Sequence, residues 1–290
     1  MSTIKIVISI LKKGKTDLKK KTILLYTLFF LIINYELCAS NNRIITLAPS
    51  QTELVYAMGL GEQIVGVSDY SDYPKDALNK TKIGDIELKV ELILSLSPTI
   101  IIDVNSMRKS YEPLFRRLNL NYVNYNISEM EDIASMALEI GKCLKEEEKA
   151  NKFASKWLSE VQALNLKKPE VPFTFYAEIW GTPMQAAGNK SFISKIIERS
   201  GGKNIFNSKI EYPVINKESV VSLNPNVVFL FYPIKEEEIL NVKNRPAWKH
   251  ISASKNNNIY ALDQDLFVRP GPRNLDGLKI INKILNKAIK

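Results

Sequence analysis

From residue 43 onward the chain alternates short, β-branched apolar runs with longer stretches whose apolar positions recur every three or four residues. The runs at 43–48, Ile64–Val67, 99–103, Tyr122–Tyr125 and 173–177 predict strands. Between them, Ser50 and Glu53 have capping-box spacing, so a helix is expected to open there and stop at Gly59. Further helices are predicted ending near Leu96, over 109–118 and over Phe192–Arg199. Strands alternating with helices are the signature of an α/β fold.

Residues 128–166 are nearly free of Gly and Pro, and Ile133, Met136, Ala137 and Ile140 fall at helical spacing. A second helical stretch over 146–166 would be about 30 Å long at 1.5 Å per residue. It is read either as an ordinary surface helix or as a rigid strut between two lobes. An internal repeat favours the strut. The segment 90–102, with Glu91, Leu96 and Pro98, returns at 217–229 with Glu218, Leu223 and Pro225, at a constant offset of 127. Each copy reads as a short helix opened by Glu, stopped before Pro and followed by a buried strand. One copy lies on each side of the long helical stretch, as duplicated lobes would place them.

Composition narrows the class. Apolar residues make up 45% and charged residues 24%, which excludes a polytopic membrane protein and a largely disordered chain. Much of the net charge of +9 is local, because residues 1–40 hold seven Lys against Asp17 and Glu36. The mild excess that remains forms no basic run, which argues against nucleic acid as a partner. Within the first 40 residues, Lys19, Lys20 and Lys21 precede an apolar run from Ile23 to Ile33. That run is shorter than the roughly 20 residues a bilayer span requires, and it fits a secretory signal ending near Ala39 or Ser40. Lipid attachment at Cys38 would need small residues before it, and Tyr35, Glu36 and Leu37 are not small. Cleavage there leaves Cys143 as the only thiol, so no internal disulfide is available. The expected division is an export segment over 1–40, an α/β lobe over 41–127, a helical region with the linker over 128–168, and a second α/β lobe over 169–290.

Enzyme chemistry finds little footing. His250 is the only histidine, and there is no nucleophile elbow or phosphate-binding glycine motif. Gly201-Gly202 reads as a helix stop. Two segments look suited to contact. Asp69-Tyr-Ser-Asp-Tyr-Pro74 places two tyrosines in a polar loop, and 265–273 combines Phe267 with Arg269, Arg273 and two prolines. Each is either a stiff turn or part of a cleft between α/β lobes.

Arg43-Ile-Ile-Thr-Leu-Ala-Pro-Ser-Gln-Thr-Glu53 resembles the opening of periplasmic binding proteins of the cobalamin and ferric-siderophore uptake class. Ser71-Asp-Tyr-Pro74, Gly201-Gly-Lys-Asn-Ile-Phe206, the two Glu-led helices and Arg269-Pro-Gly-Pro-Arg273 continue the resemblance in order, across 43–290. Within that class the likeness is to the cobalamin-binding members. It implies a class III architecture, two Rossmann-like lobes joined by a single long α-helix, with the ligand in a cleft that closes little. Ligand contacts carried over by motif fall at Asp69, Tyr70, Tyr212, Gln264, Asp265, Leu266, Phe267 and Val268. Glu91 and Glu218 would pair with arginines of an ABC permease at the inner membrane; as isolated residues they are simply favourable in a first helical turn. The resemblance further implies an exported monomer that binds a corrinoid, with no cofactor, metal site or catalytic residue of its own.

The chain departs from the family pattern where cleft tryptophans are expected, with Asp85, Val104 and Tyr212 in their places and Ser200 at a disulfide position. Trp180 and Phe267 are the candidate replacement walls. A ferric siderophore or haem, with Arg269 or Arg245 pairing its carboxylates, is the alternative within the class. An exported enzyme or adhesin on a similar scaffold is the alternative outside it.

Overall fold

The computed structural model describes residues 42–105, 107–164 and 172–288. The export segment expected over 1–40, Cys38 included, and Pro169 lie outside the described residues.

In chain order the elements of the first lobe are β1 (Ile44–Thr46), α1 (Pro49–Ala57), β2 (Ile64–Val67), β3 (Thr81–Lys82), α2 (Val90–Ser95), β4 (Ile100–Val104), α3 (Glu112–Arg117) and β5 (Tyr122–Tyr125). Two longer helices follow, α4 (Met130–Leu144) and α5 (Glu147–Ala163). The second lobe holds β6 (Phe173–Gly181), β7 (Met184–Ala186), α6 (Phe192–Arg199), β8 (Gly202–Asn204), α7 (Lys217–Leu223), β9 (Val227–Leu230), α8 (Glu236–Lys243), α9 (Ser252–Lys255), β10 (Ile259–Ala261) and α10 (Asn274–Ala288). The first sheet is parallel in the order β3-β2-β1-β4-β5. In the second, β10, β9 and β6 are parallel neighbours; β8 runs parallel to the first half of β6, and β7 returns antiparallel along its end.

Period-two alternation assigns each strand residue to one of two cores. Ile44, Ile100 and Ile102 face a core shared by both lobes, while Ile45 and Ile101 face one private to the first lobe. In the second lobe Phe175, Val227 and Phe229 join the shared core, and Tyr176, Val228 and Leu230 pack on the other side of the sheet. The shared core therefore runs from one sheet to the other through Ile140 and Trp157 of the two long helices.

Those helices form an antiparallel pair. Lys145 adopts a left-handed conformation between them, and the Trp157 indole near the end of α5 donates to the Met130 carbonyl at the start of α4, 2.9 Å away. Gly141 permits the close approach, since a Cβ there would lie 2.3 Å from the Ala150 Cβ. At one end of α4, Glu129 and Glu131 pair with Lys195 and Arg199 of the second lobe. At the other, the Leu144 carbonyl accepts from Asn42, and Glu146 accepts from Gln63 of the first lobe at 2.8 Å. At 15 residues α4 is about 22 Å long, so it spans the junction.

The repeat survives in three dimensions. Glu91 and Glu218 both sit in the first turn of their helices, and Ser97 and Asn224, again 127 apart, both take left-handed φ angles of 45° and 46°. The next strands start at Ile100 and Val227. Two local expectations differ. The capping box at Ser50 does not form: Ala48 is the N-cap of α1, Pro49 opens the helix, and Glu53 is committed to a contact with the second lobe. The helix expected over 109–118 begins as a 3-10 turn, with α-helix only over Glu112–Arg117. Among the described residues no helix is long and apolar enough to cross a membrane.

Candidate functional site, the cleft between the lobes

In open parallel sheets, ligands bind beyond the carboxyl ends of the strands where the strand order reverses. That point lies between β1 and β4 in the first lobe and between β6 and β9 in the second. The two edges meet. Arg269, on the segment leaving β10, donates from Nη1 to Asp72 Oδ1 at 2.7 Å, and Asp72 lies on the loop leaving β2. Arg269 also holds Asp265 at 3.1 Å and stands 3.8 Å from Glu53 of α1. Arg273 binds Glu53 through both carboxylate oxygens, at 2.9 and 2.7 Å, with its guanidinium 4.4 Å over the Tyr73 ring. Glu53 is only 3% exposed. Burial pushes its carboxyl above the ordinary value although Arg273 and Arg269 pull it down, and the bond to Glu53 raises the Arg273 guanidinium in turn.

Around this junction, large apolar side chains stand in solvent on loops leaving the strand ends. Tyr70 follows β2, Ile86 follows β3, Met107 follows β4, and Trp180 ends β6; they are 65%, 81%, 66% and 51% exposed. Tyr232, beyond β9, lines a pocket of about 350 Å³ with Pro233, Leu262, Asp263, Gln264 and Asp265. Burial, with Asp263 and Asp72 adding to it, raises the Asp265 carboxyl above the usual aspartate range in spite of Arg269. Among the described residues no group of His, Cys, Asp and Glu could hold a metal ion.

The residues expected at the site fare differently. Tyr70, Gln264, Asp265 and Val268 lie on the two facing segments, with Tyr70 and Val268 exposed. Asp69 accepts from the Gly84 amide at 3.0 Å and so fixes the turn between β3 and α2. Leu266 is half-buried against the shared core. Phe267 is fully buried, 4.9 Å from Phe231 ring to ring, so it belongs to the core and offers the cleft no face. Tyr212 packs half-buried against the shared core, on a loop running beside β7, and burial pushes its hydroxyl up to about 12. Of the two replacement walls expected, Trp180 is half exposed and Phe267 is buried. Arg269 and Arg245, expected to meet ligand carboxylates, already hold protein carboxylates, Asp72 and Glu178 respectively. Ile86, Met107 and Tyr232 were not anticipated. Their only signal in the sequence is position just past a strand end.

A helix joining parallel strands runs back along the sheet, so its first turn lies at the carboxyl edge. This puts Glu91 of α2 and Glu218 of α7 on the cleft side of their lobes. Both are exposed, and neither has a side-chain partner among the described residues.

The profile of the periplasmic binding protein family matches residues 44–266. A vitamin B12-binding protein of Vibrio cholerae is 30% identical over 253 residues, 86% of this chain and 90% of the relative. An uncharacterized ABC transporter substrate-binding lipoprotein of Bacillus subtilis, YvrC, is 27% identical over 246 residues, 82% of this chain and 77% of the relative. Among solved structures, the periplasmic vitamin B12-binding protein BtuF of Vibrio cholerae superposes with a TM-score of 0.75 at 29% identity, covering 86% of this chain and 98% of that one.

Within the junction, Asp72 makes a pH-dependent contribution whose sign follows from its own shift, whereas Glu53 and Asp265 are shifted upward. Burial pushes the Asp72 carboxyl up, but the bond and charge of Arg269, its own backbone amide and the charge of Arg273 outweigh this and lower it below the ordinary 3.8. A carboxylate with a lowered folded-state value stabilises the fold above its ordinary value and loses that contribution as pH falls through the folded one. Asp72→Asn is therefore expected to lower the urea midpoint at pH 7. The difference from the parent protein should disappear on acidification below the ordinary aspartate range. A difference independent of pH would contradict the ion pair.

Proposed function

This chain belongs to the periplasmic binding protein family, and from that premise we propose that it is the substrate-binding component of an ABC importer, capturing cobalamin or a related corrinoid between its lobes. The observation that carries the choice of ligand is the character of the cleft edge. Large apolar side chains stand exposed there, while Arg108, Arg245, Arg269 and Arg273, the arginines that reach these loops, are each neutralised by carboxylates of the protein itself. A haem or an acidic iron chelate needs cations to meet its carboxylates. A corrinoid periphery rich in amides and methyl groups asks for apolar faces and hydrogen-bond acceptors, which Tyr70, Ile86, Met107 and Trp180, with Gln264 and Asp265, offer.

On this reading the protein is a monomeric carrier and not an enzyme. It works in the periplasm, reached through the export segment at its start. Glu91 and Glu218 are its permease-docking residues. Their placement, one per lobe on the edge that carries the cleft, suits a receptor that straddles a two-fold transporter. Charge-assisted pairs to arginine would fix both affinity and register.

Calorimetry of the purified protein against cyanocobalamin, cobinamide, haem and a siderophore panel tests the ligand class. A corrinoid is expected to bind at micromolar affinity or better, and Tyr70→Ala to weaken it by about tenfold, as loss of an aromatic anchor does. Binding of haem or a siderophore with no corrinoid binding would overturn the reading.

Replacing Glu91 and Glu218 together with Ala is expected to leave melting temperature and ligand affinity nearly unchanged, because both are exposed and neither has a side-chain partner among the described residues. Uptake in cells, or capture by the permease in proteoliposomes, should collapse. Uptake at the parental rate would remove the docking role, and a loss of ligand affinity would move the two residues into the cleft.

A further inference from the structure

Beneath the exposed rim of each lobe lies a buried carboxylate with an arginine guanidinium beside it, hydrogen-bonded to it in the second lobe and 3.6 Å away in the first. In the first lobe Asp103 of β4 is fully buried; its Oδ2 accepts from the Arg108 amide at 3.0 Å and from the Tyr122 hydroxyl at 2.9 Å. The Arg108 side chain, itself buried, stands 3.6 Å from Asp103 Oδ1. From there it reaches outward to the Asp85 carbonyl at 3.0 Å, to the Asp85 carboxylate and to the Met107 sulfur at 3.7 Å. One guanidinium thus ties together the loops that carry Ile86 and Met107.

In the second lobe Glu178 of β6 is fully buried and accepts four bonds. Two come from Arg245, at 2.6 and 2.8 Å, one from the Tyr232 hydroxyl at 2.6 Å and one from the Tyr176 hydroxyl at 3.0 Å. Tyr232 lies edge-on to Trp180 with ring centroids 6.4 Å apart, so the same arginine sets the second rim. The two carboxylates do not correspond under the internal repeat, because the offset of 127 carries Asp103 of β4 onto Leu230 of β9. The lobes reach one device from unrelated positions.

Burying ion pairs is an inefficient way to stabilise a core, since apolar residues of similar volume commonly do as well or better. What a buried guanidinium adds is a fixed fork geometry, which a lysine ammonium does not reproduce. We propose that Arg108 and Arg245 are positioning residues that lock the apolar rims, Ile86 with Met107 and Trp180 with Tyr232, into their binding arrangement before ligand arrives. The proposal rests on the functional reading of the cleft given above. It deepens that reading by assigning affinity to two residues that meet no ligand. Rigid placement of contact groups raises affinity by removing the ordering cost of binding.

The test pairs hydrogen exchange on the ligand-free protein with calorimetry against cyanocobalamin. The variants are Arg108→Lys and Arg245→Lys, with Asp85→Ala and Tyr232→Phe as milder changes that leave each buried charge pair intact. The Arg108→Lys and Asp85→Ala proteins should show about tenfold faster exchange over 84–88 and 107–109, with β1 and β4 unaltered. Arg245→Lys and Tyr232→Phe should do the same over 179–182 and 231–234. Cyanocobalamin affinity should fall about tenfold in each lysine variant. Unaltered exchange in these loops would overturn the proposal, and so would faster exchange with undiminished affinity. A parent protein that binds no corrinoid would contradict the functional reading instead, while the exchange arm still decides whether the arginines order the rims.

Discussion

The cleft is defined by one ionic junction, the grip of Arg273 and Arg269 on buried Glu53 and exposed Asp72. Taking a carboxylate such as Glu53 out of water costs several kcal/mol even after the protein relaxes. The two-pronged bond from Arg273 offsets that cost only in the geometry that holds the segment after β10 against α1. Separating the lobes at this point would break both bonds from Arg273 to Glu53. The contact therefore sets the distance between the two strand edges, and the exposed side chains on those edges inherit their spacing from it.

Apolar packing reinforces the same constraint. The shared core continues from Ile44 through Ile140 and Trp157 to Phe175 and Leu278, so moving one lobe against the other would disturb a continuous apolar core. The antiparallel pair α4 and α5 braces the junction, held to the second lobe at one end and the first at the other. Most of the ordering cost of forming a site is thus met during folding, which suits the carrier role proposed above. The arginine locks under each rim extend this economy to the loops.

Much of the fold was legible because it is written in local patterns. The β-branched runs became strands, and Gly59 and Gly201 took the positive φ angles expected where their helices stop. The duplicated Glu-led helices kept their offset down to the left-handed residues Ser97 and Asn224. The site was less legible because its chemistry is tertiary. Glu53 and Arg273 are 220 residues apart, and Arg245 and Glu178 are 67 apart. Nothing in their spacing marks them as partners. Ser50 and Glu53 had the spacing of a helix cap, but Glu53 found a stronger partner in Arg273. Phe267 sat in a segment that reads as a contact loop, yet it faces inward because Phe231 closes over it. Ile86 and Met107 read as ordinary apolar residues, and only the sheet order reveals that both leave strands on the same edge.

The central claim is that the cleft exists at fixed width before ligand binds. Distance measurement by pulsed electron resonance tests it most directly, with spin labels at Arg117 and Lys255, exposed positions on opposite lobes, in a background lacking the native cysteines. The account predicts that saturating cyanocobalamin leaves the mean distance and the width of its distribution unchanged. A shift of several ångström, of the size that hinge closure produces in mobile two-lobed receptors, would contradict it.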